Sequence, residues 1–119
     1  MRNQRLRSNQ NQRNTNMKST INRQVYDTAK ATLVAEDQNN LGRNDFRALE
    51  ETLYVTAKGN WFIHGWGGAM TKYAEHEGNS SSEGERIVPL SRGEALAWCE
   101  EHKAQDAIDK HFADLISEA

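Results

Sequence analysis

Cysteine is all but missing from this sequence. Cys99 stands alone among 119 residues, so no internal disulfide can form, and a reducing cytoplasm is the compartment expected. No run of about 18 apolar residues occurs, which argues against a membrane-spanning helix. The arginines near the start are followed by no apolar stretch, so a secretory signal is not expected either. Proline occurs once, at Pro89, and acidic residues are missing from the first 24 positions. A length of 119 residues suffices for one domain with a core and is too short for a second.

The absence of early acids makes the formal net charge of -2 misleading. Arg2, Arg5, Arg7, Arg13, Lys18 and Arg23 give the first 24 residues a charge of +6, which leaves nine bases against 17 acids, or -8, for residues 25–119. Six Asn and four Gln fill out that opening stretch, with Leu6, Ile21 and two Met as its only apolar side chains. Such a composition cannot offset the entropy of ordering by burying surface. Residues 1–20 are therefore expected to form a disordered basic tail, and 21–119 a single folded domain. A flexible polycation can bind nucleic acid by releasing counterions from phosphates, but this one lacks the aromatic residues that stack on bases. The plainer reading is a solvated extension ahead of a start at Met17.

Val25 and Tyr26 read as a short extended piece. Residues 29–36 are open between a strand over Ala31–Ala35 and a short helix, and the turn formers of 37–45 read as an exposed loop. From Leu49 to Thr56 a period of two sets Leu49, Glu51, Leu53 and Val55 against Glu50, Thr52, Tyr54 and Thr56, with Leu53 and Val55 inward. Ala57-Lys58-Gly59 is a hairpin connection in which Gly59 takes the left-handed conformation. Its partner strand, Asn60 to Trp66, carries aromatic residues on both faces and is expected to be central.

Gly65, Gly67 and Gly68 are expected to turn into a helix over Ala69–Glu77, with Met70, Tyr73 and Ala74 at helical spacing. A Gly-rich turn feeding a helix resembles a phosphate cradle, although the Gly-Lys-Ser/Thr spacing of a P-loop is not met. Gly78–Gly84 reads as a loop, and Arg86–Leu90 as a strand that Pro89 confines to an edge or a terminus. Ser91 and Glu94 form a capping box. The helix behind it should bury Ala95, Leu96, Trp98 and Cys99 and expose Glu100, Glu101 and Lys103. A last helix is expected from Asp106, with Ile108, Phe112, Leu115 and Ile116 as its apolar stripe. The fold class is α+β: a small antiparallel sheet of about four to five short strands packed against about three helices.

No catalytic constellation is legible. Cys99 and His102 sit at i, i+3 on one helix, but a core-facing thiol is inert. Cys-x-x-His is half a zinc site, and His64, His76 and His111 lie on separate elements. His64 reads as a hydrogen-bonded strand histidine, and the carboxylates between Glu75 and Glu85 as a solvated face. No catalytic residue, metal or cofactor is expected. The acidic C-terminal part is the stronger lead. Residues 93–119 hold seven acids against Lys103 and Lys110. A field of that sign repels phosphate and attracts basic proteins. The candidate contact residues are Glu100, Glu101, Asp106, Asp109 and Asp114, with Trp66 at the Gly-rich corner.

Tyr26-Asp27-Thr28, Glu50-Glu51-Thr52-Leu53-Tyr54, Gly59-Asn60-Trp61-Phe62-Ile63-His64-Gly65 with Gly67-Gly68, Lys72-Tyr73-Ala74, and Ile87-Val88-Pro89-Leu90-Ser91 with Glu94-Ala95 and Trp98 together resemble a family of small bacterial proteins carried on plasmids, phages and integrative elements. The resemblance covers residues 24–115 and implies a genetic context and a fold, with no assigned activity and no catalytic residues. By analogy of context it points to an anti-defence factor of the anti-CRISPR kind, acting in the cytoplasm of a bacterial host on a basic, nucleic-acid-binding defence protein. The alternative is a small DNA-binding regulator that uses the basic N-terminal arm, although no helix-turn-helix pattern with a basic second helix is present.

Overall fold

The computed structural model describes residues 16–119. In chain order its elements are β1 (Lys18–Ile21), β2 (Gln24–Asp27), β3 (Thr32–Gln38), β4 (Leu49–Val55), β5 (Trp61–Gly67), β6 (Glu75–Glu77), β7 (Ser80–Ser82), β8 (Gly84–Leu90), α1 (Arg92–Glu101) and α2 (Gln105–His111), then a 3-10 turn over Ala113–Leu115. Strands β3, β4, β5 and β8 form one antiparallel sheet in that order, while β1–β2 and β6–β7 are separate two-stranded hairpins. The fold is α+β, as the sequence predicts.

Alternation along the strands gives the sheet two distinct faces. The register stacks Ala35, Leu53, Ile63 and Val88 in one row and Val55, Trp61 and Leu90 in the next. Helices α1 and α2 cover these rows with Ala95, Trp98, Cys99, Ala107, Ile108 and Phe112. On the opposite face Tyr54 and Phe62 stack with centroids 5.2 Å apart, and Tyr26 of the β1–β2 hairpin meets Phe62 edge-on at 5.4 Å. Every residue of β5 is buried, which is why its aromatics could sit on both faces. Pro89 lies in the edge strand β8, where a missing amide is tolerated.

Several expectations change. Of the tail predicted to be disordered, residues 1–15 lie outside the described residues, but Lys18–Ile21 form β1 and pair with β2. Asn22 and Arg23 close that hairpin with φ of 52° and 67°. This is the backbone of a two-residue turn that Asn-Gly would have advertised and Asn-Arg does not. Residues 32–38 are strand, with Val34 the extra residue of a bulge.

The helix predicted over Ala69–Glu77 is not there. Residues 68–74 turn, and β6 pairs with β7 instead. Tyr73 explains the difference: its hydroxyl bonds to Glu51 of β4 at 2.6 Å, an anchor 22 residues away that outweighs local helical spacing. The last helix stops early as well. Arg92 donates to the His111 carbonyl at 2.7 Å and holds Asp114, so α2 ends there and Leu115 and Ile116 stay on the surface. The described residues thus contain two α-helices and one 3-10 turn, rather than about three helices.

Candidate functional site

The best-organised polar group lies on the helix-covered face. Strand alternation turns Glu51 inward beside Leu53, and it is only 5% exposed. Its Oε1 accepts from Trp98 Nε1 at 2.9 Å, and its Oε2 accepts from the Tyr73 hydroxyl at 2.6 Å and lies 2.8 Å from Lys72 Nζ. Burial by itself would raise the carboxyl; the bonds from Lys72, Tyr73 and Trp98 outweigh it and hold Glu51 below its ordinary range. Tyr73 moves the other way, pushed far up by burial and by Glu51. His102 caps the end of α1, packs against Trp98 with the rings tilted and centroids 4.5 Å apart, and sets Nδ1 3.0 Å from Asp37 of β3. The cluster ties β3, β4, the 68–74 turn and α1 together. It borders a cleft of about 350 Å³ floored by Ile63, Val88, Leu90 and Trp98. Tyr73, Trp98 and Lys72 all direct donors at Glu51, and His102 Nε2 lies 3.9 Å from its Oε1, so the carboxylate clamps these elements to one another.

The Gly-rich corner serves this clamp. A Cβ on Gly65 would lie 1.9 Å from Tyr73 Cζ, so only glycine lets the ring reach Glu51. On Gly68 it would meet the Phe46 carbonyl oxygen at 2.6 Å. The glycines answer to close packing of β5 and the turn after it against Tyr73, Thr71 and Phe46, and no helix follows directly on them among the described residues.

The opposite face holds a groove of about 550 Å³ beyond the reach of the β1–β2 hairpin. Trp66 lies in it, buried at 3% exposure, with the Arg43 guanidinium 3.9 Å above its ring and bonded to Glu50. His64 Nε2 pairs with Glu85 at 2.6 Å, as expected of a strand histidine. Trp66 was a candidate contact residue, but as a buried platform it cannot be an exposed hot spot. Two apolar side chains stand exposed at that end of the sheet, neither of them among the contact residues expected from the sequence. Phe46 and Met70 are 65% and 68% exposed and sit on loops joined by the bond from Met70 N to Phe46 O at 2.8 Å. Only the glycine spacing hinted that these loops touch.

The acidic candidates divide. Glu100, Glu101, Asp106 and Asp109 are exposed around the corner between α1 and α2, and among the described residues none has an ion-pair partner. Asp114 differs: Arg92 grips both its oxygens at 2.7 and 2.9 Å and holds its pKa at about 2, so its charge is spoken for. Cys99 is fully buried and its thiol is pushed up by that burial, while His102 turns Nδ1 to Asp37. No group of three His, Cys, Asp or Glu among the described residues could hold a metal. No helix among them is long and apolar enough to cross a membrane. Comparison with known proteins found no matching family model, curated protein or solved structure.

Proposed function

We propose that this protein is a non-enzymatic, cytoplasmic accessory factor of a mobile genetic element, an anti-defence inhibitor of the anti-CRISPR kind, that binds a basic host protein through the acidic corner between α1 and α2. The observation that carries the reading is the set of unpaired, exposed carboxylates at Glu100, Glu101, Asp106 and Asp109. Unpaired charges keep their long-range field, whereas paired ones cancel it. A nucleic-acid-binding groove, already lined with cations to meet phosphate, is the complementary surface. The resemblance to proteins of mobile elements supplies the setting.

The test is capture of proteins from host lysate on the immobilised chain at low and at high salt. A basic nucleic-acid-binding protein retained at low ionic strength and released near 1 M salt supports the reading, since screening at about 3 Å removes exposed charge pairing. Recovery of only abundant proteins, indifferent to salt, overturns it.

A further inference from the structure

The end of the sheet remote from Phe46 and Met70 carries charge of the opposite sign to the α1–α2 corner. Arg23 in the β1–β2 turn, Lys30 in the β2–β3 turn and Lys58 in the β4–β5 turn line one cleft of about 460 Å³. All three are exposed, and among the described residues none of them is in an ion pair. The acid lining that cleft is Asp27, and its carboxylate is turned onto the Ala29 amide at 2.9 Å. Thr56 and Asn60 add polar groups to the wall. Three cations without ion-pair partners come to one cleft from three separate turns although residues 16–119 hold 11 bases against 17 acids.

We infer that this cleft binds phosphate groups of a nucleic-acid backbone. Three cations against the single carboxylate of Asp27 leave the cleft net positive, and such a surface gains free energy by displacing counterions from a polyanion. A cleft of about 460 Å³ exceeds what one inorganic phosphate fills, so it has room for more than one phosphate of a strand. The composition of the neighbouring sequence favours the same ligand. Met17 is bonded to Thr28 in both directions, at 3.0 Å through its carbonyl and 2.9 Å through its amide, two residues from Lys30. The sequence that leads into this point holds Arg2, Arg5, Arg7 and Arg13 and no acid. Contacts to a backbone carry no base readout, so the binding is indifferent to sequence. This site stands apart from the acidic corner and does not depend on it.

Fluorescence anisotropy with a labelled single-stranded and a labelled duplex oligonucleotide, read across salt concentrations with the full chain, tests the inference. Wild-type protein binds either probe with an affinity that falls as salt rises. Replacing Arg23→Asn, Lys30→Gln and Lys58→Gln lowers the salt slope by about 1 for each side chain and leaves melting unchanged. Asn is chosen at Arg23 because it tolerates the left-handed backbone there. A wild type that binds neither probe, or a triple variant with an unaltered slope, overturns the inference. So does NMR titration in which inorganic phosphate shifts the Arg23, Lys30 and Lys58 amides while oligonucleotide does not. Charge reversal at Glu100 and Glu101 leaves this binding intact or stronger, which separates its fate from that of the acidic corner.

Discussion

A single carboxylate, Glu51, decides how the two halves of the chain meet. Its neutralisation and its deletion should differ. Glu51→Ala leaves the Tyr73 hydroxyl and the Trp98 indole N–H buried without an acceptor, at about 1–3 kcal/mol each, and should lower Tm by about 10 °C or more. Glu51→Gln keeps an acceptor and should cost less. The two proteins also differ in acid. Because folding holds the Glu51 pKa below its ordinary 4.5, its stabilisation is fully present above that value and is lost as pH falls through the lower, folded one. Thermal melts of wild type should therefore drop more steeply below pH 4.5 than those of Glu51→Gln. Parallel acid limbs would remove Glu51 as the group responsible. Gly65→Ala tests the same contact from the other side, since Tyr73 has to leave Glu51 to make room. A loss of about 1–3 kcal/mol in urea melts is expected, and an unchanged midpoint would show that the ring is not held there.

Elements were legible where local pattern and tertiary context agree. The alternation of β4, the hairpin at Gly59 (φ 88°), the two-faced aromatics of β5, the edge position of Pro89 and the capping box at Ser91 all follow from short-range chemistry and all stand. The failures share a cause. Met70, Tyr73 and Ala74 have helical spacing, yet Tyr73 answers to Glu51 across the sheet, and Leu115 and Ile116 continue a stripe that Arg92 cuts off at His111. Long-range side-chain bonds leave no periodic trace. Trp66 misled for a related reason: its cover, Arg43, comes from a loop that carries no pattern. The same loop presents Phe46 beside Met70, which packing does not explain. Phe46→Ser with Met70→Ser should leave Tm within about 2 °C, because exposed side chains contribute little to folding. A large fall in Tm would mean that these side chains are packed in solution.

At the scale of the molecule, Glu100, Glu101, Asp106 and Asp109 outnumber Lys103 and Lys110 at the helix corner, while Arg23, Lys30 and Lys58 gather at the turns of the sheet. Acids cluster along the chain in residues 93–119 and are legible there, whereas the basic cleft gathers residues up to 35 positions apart and leaves no local trace. The pairing of Arg92 with Asp114, 22 residues away, leaves none either. The contact surface proposed here therefore consists of Glu100, Glu101, Asp106 and Asp109. Its most direct test is the affinity of the captured host protein for wild type, for Glu100→Lys with Glu101→Lys and Asp109→Lys, and for Asp114→Asn, measured by calorimetry at two ionic strengths. The account predicts that the triple reversal abolishes binding without changing Tm by more than about 2 °C, and that Asp114→Asn binds as wild type does. Normal binding by the triple reversal would contradict it, and loss of binding in the Phe46 and Met70 double variant would then place the interface on the loops that carry those two residues.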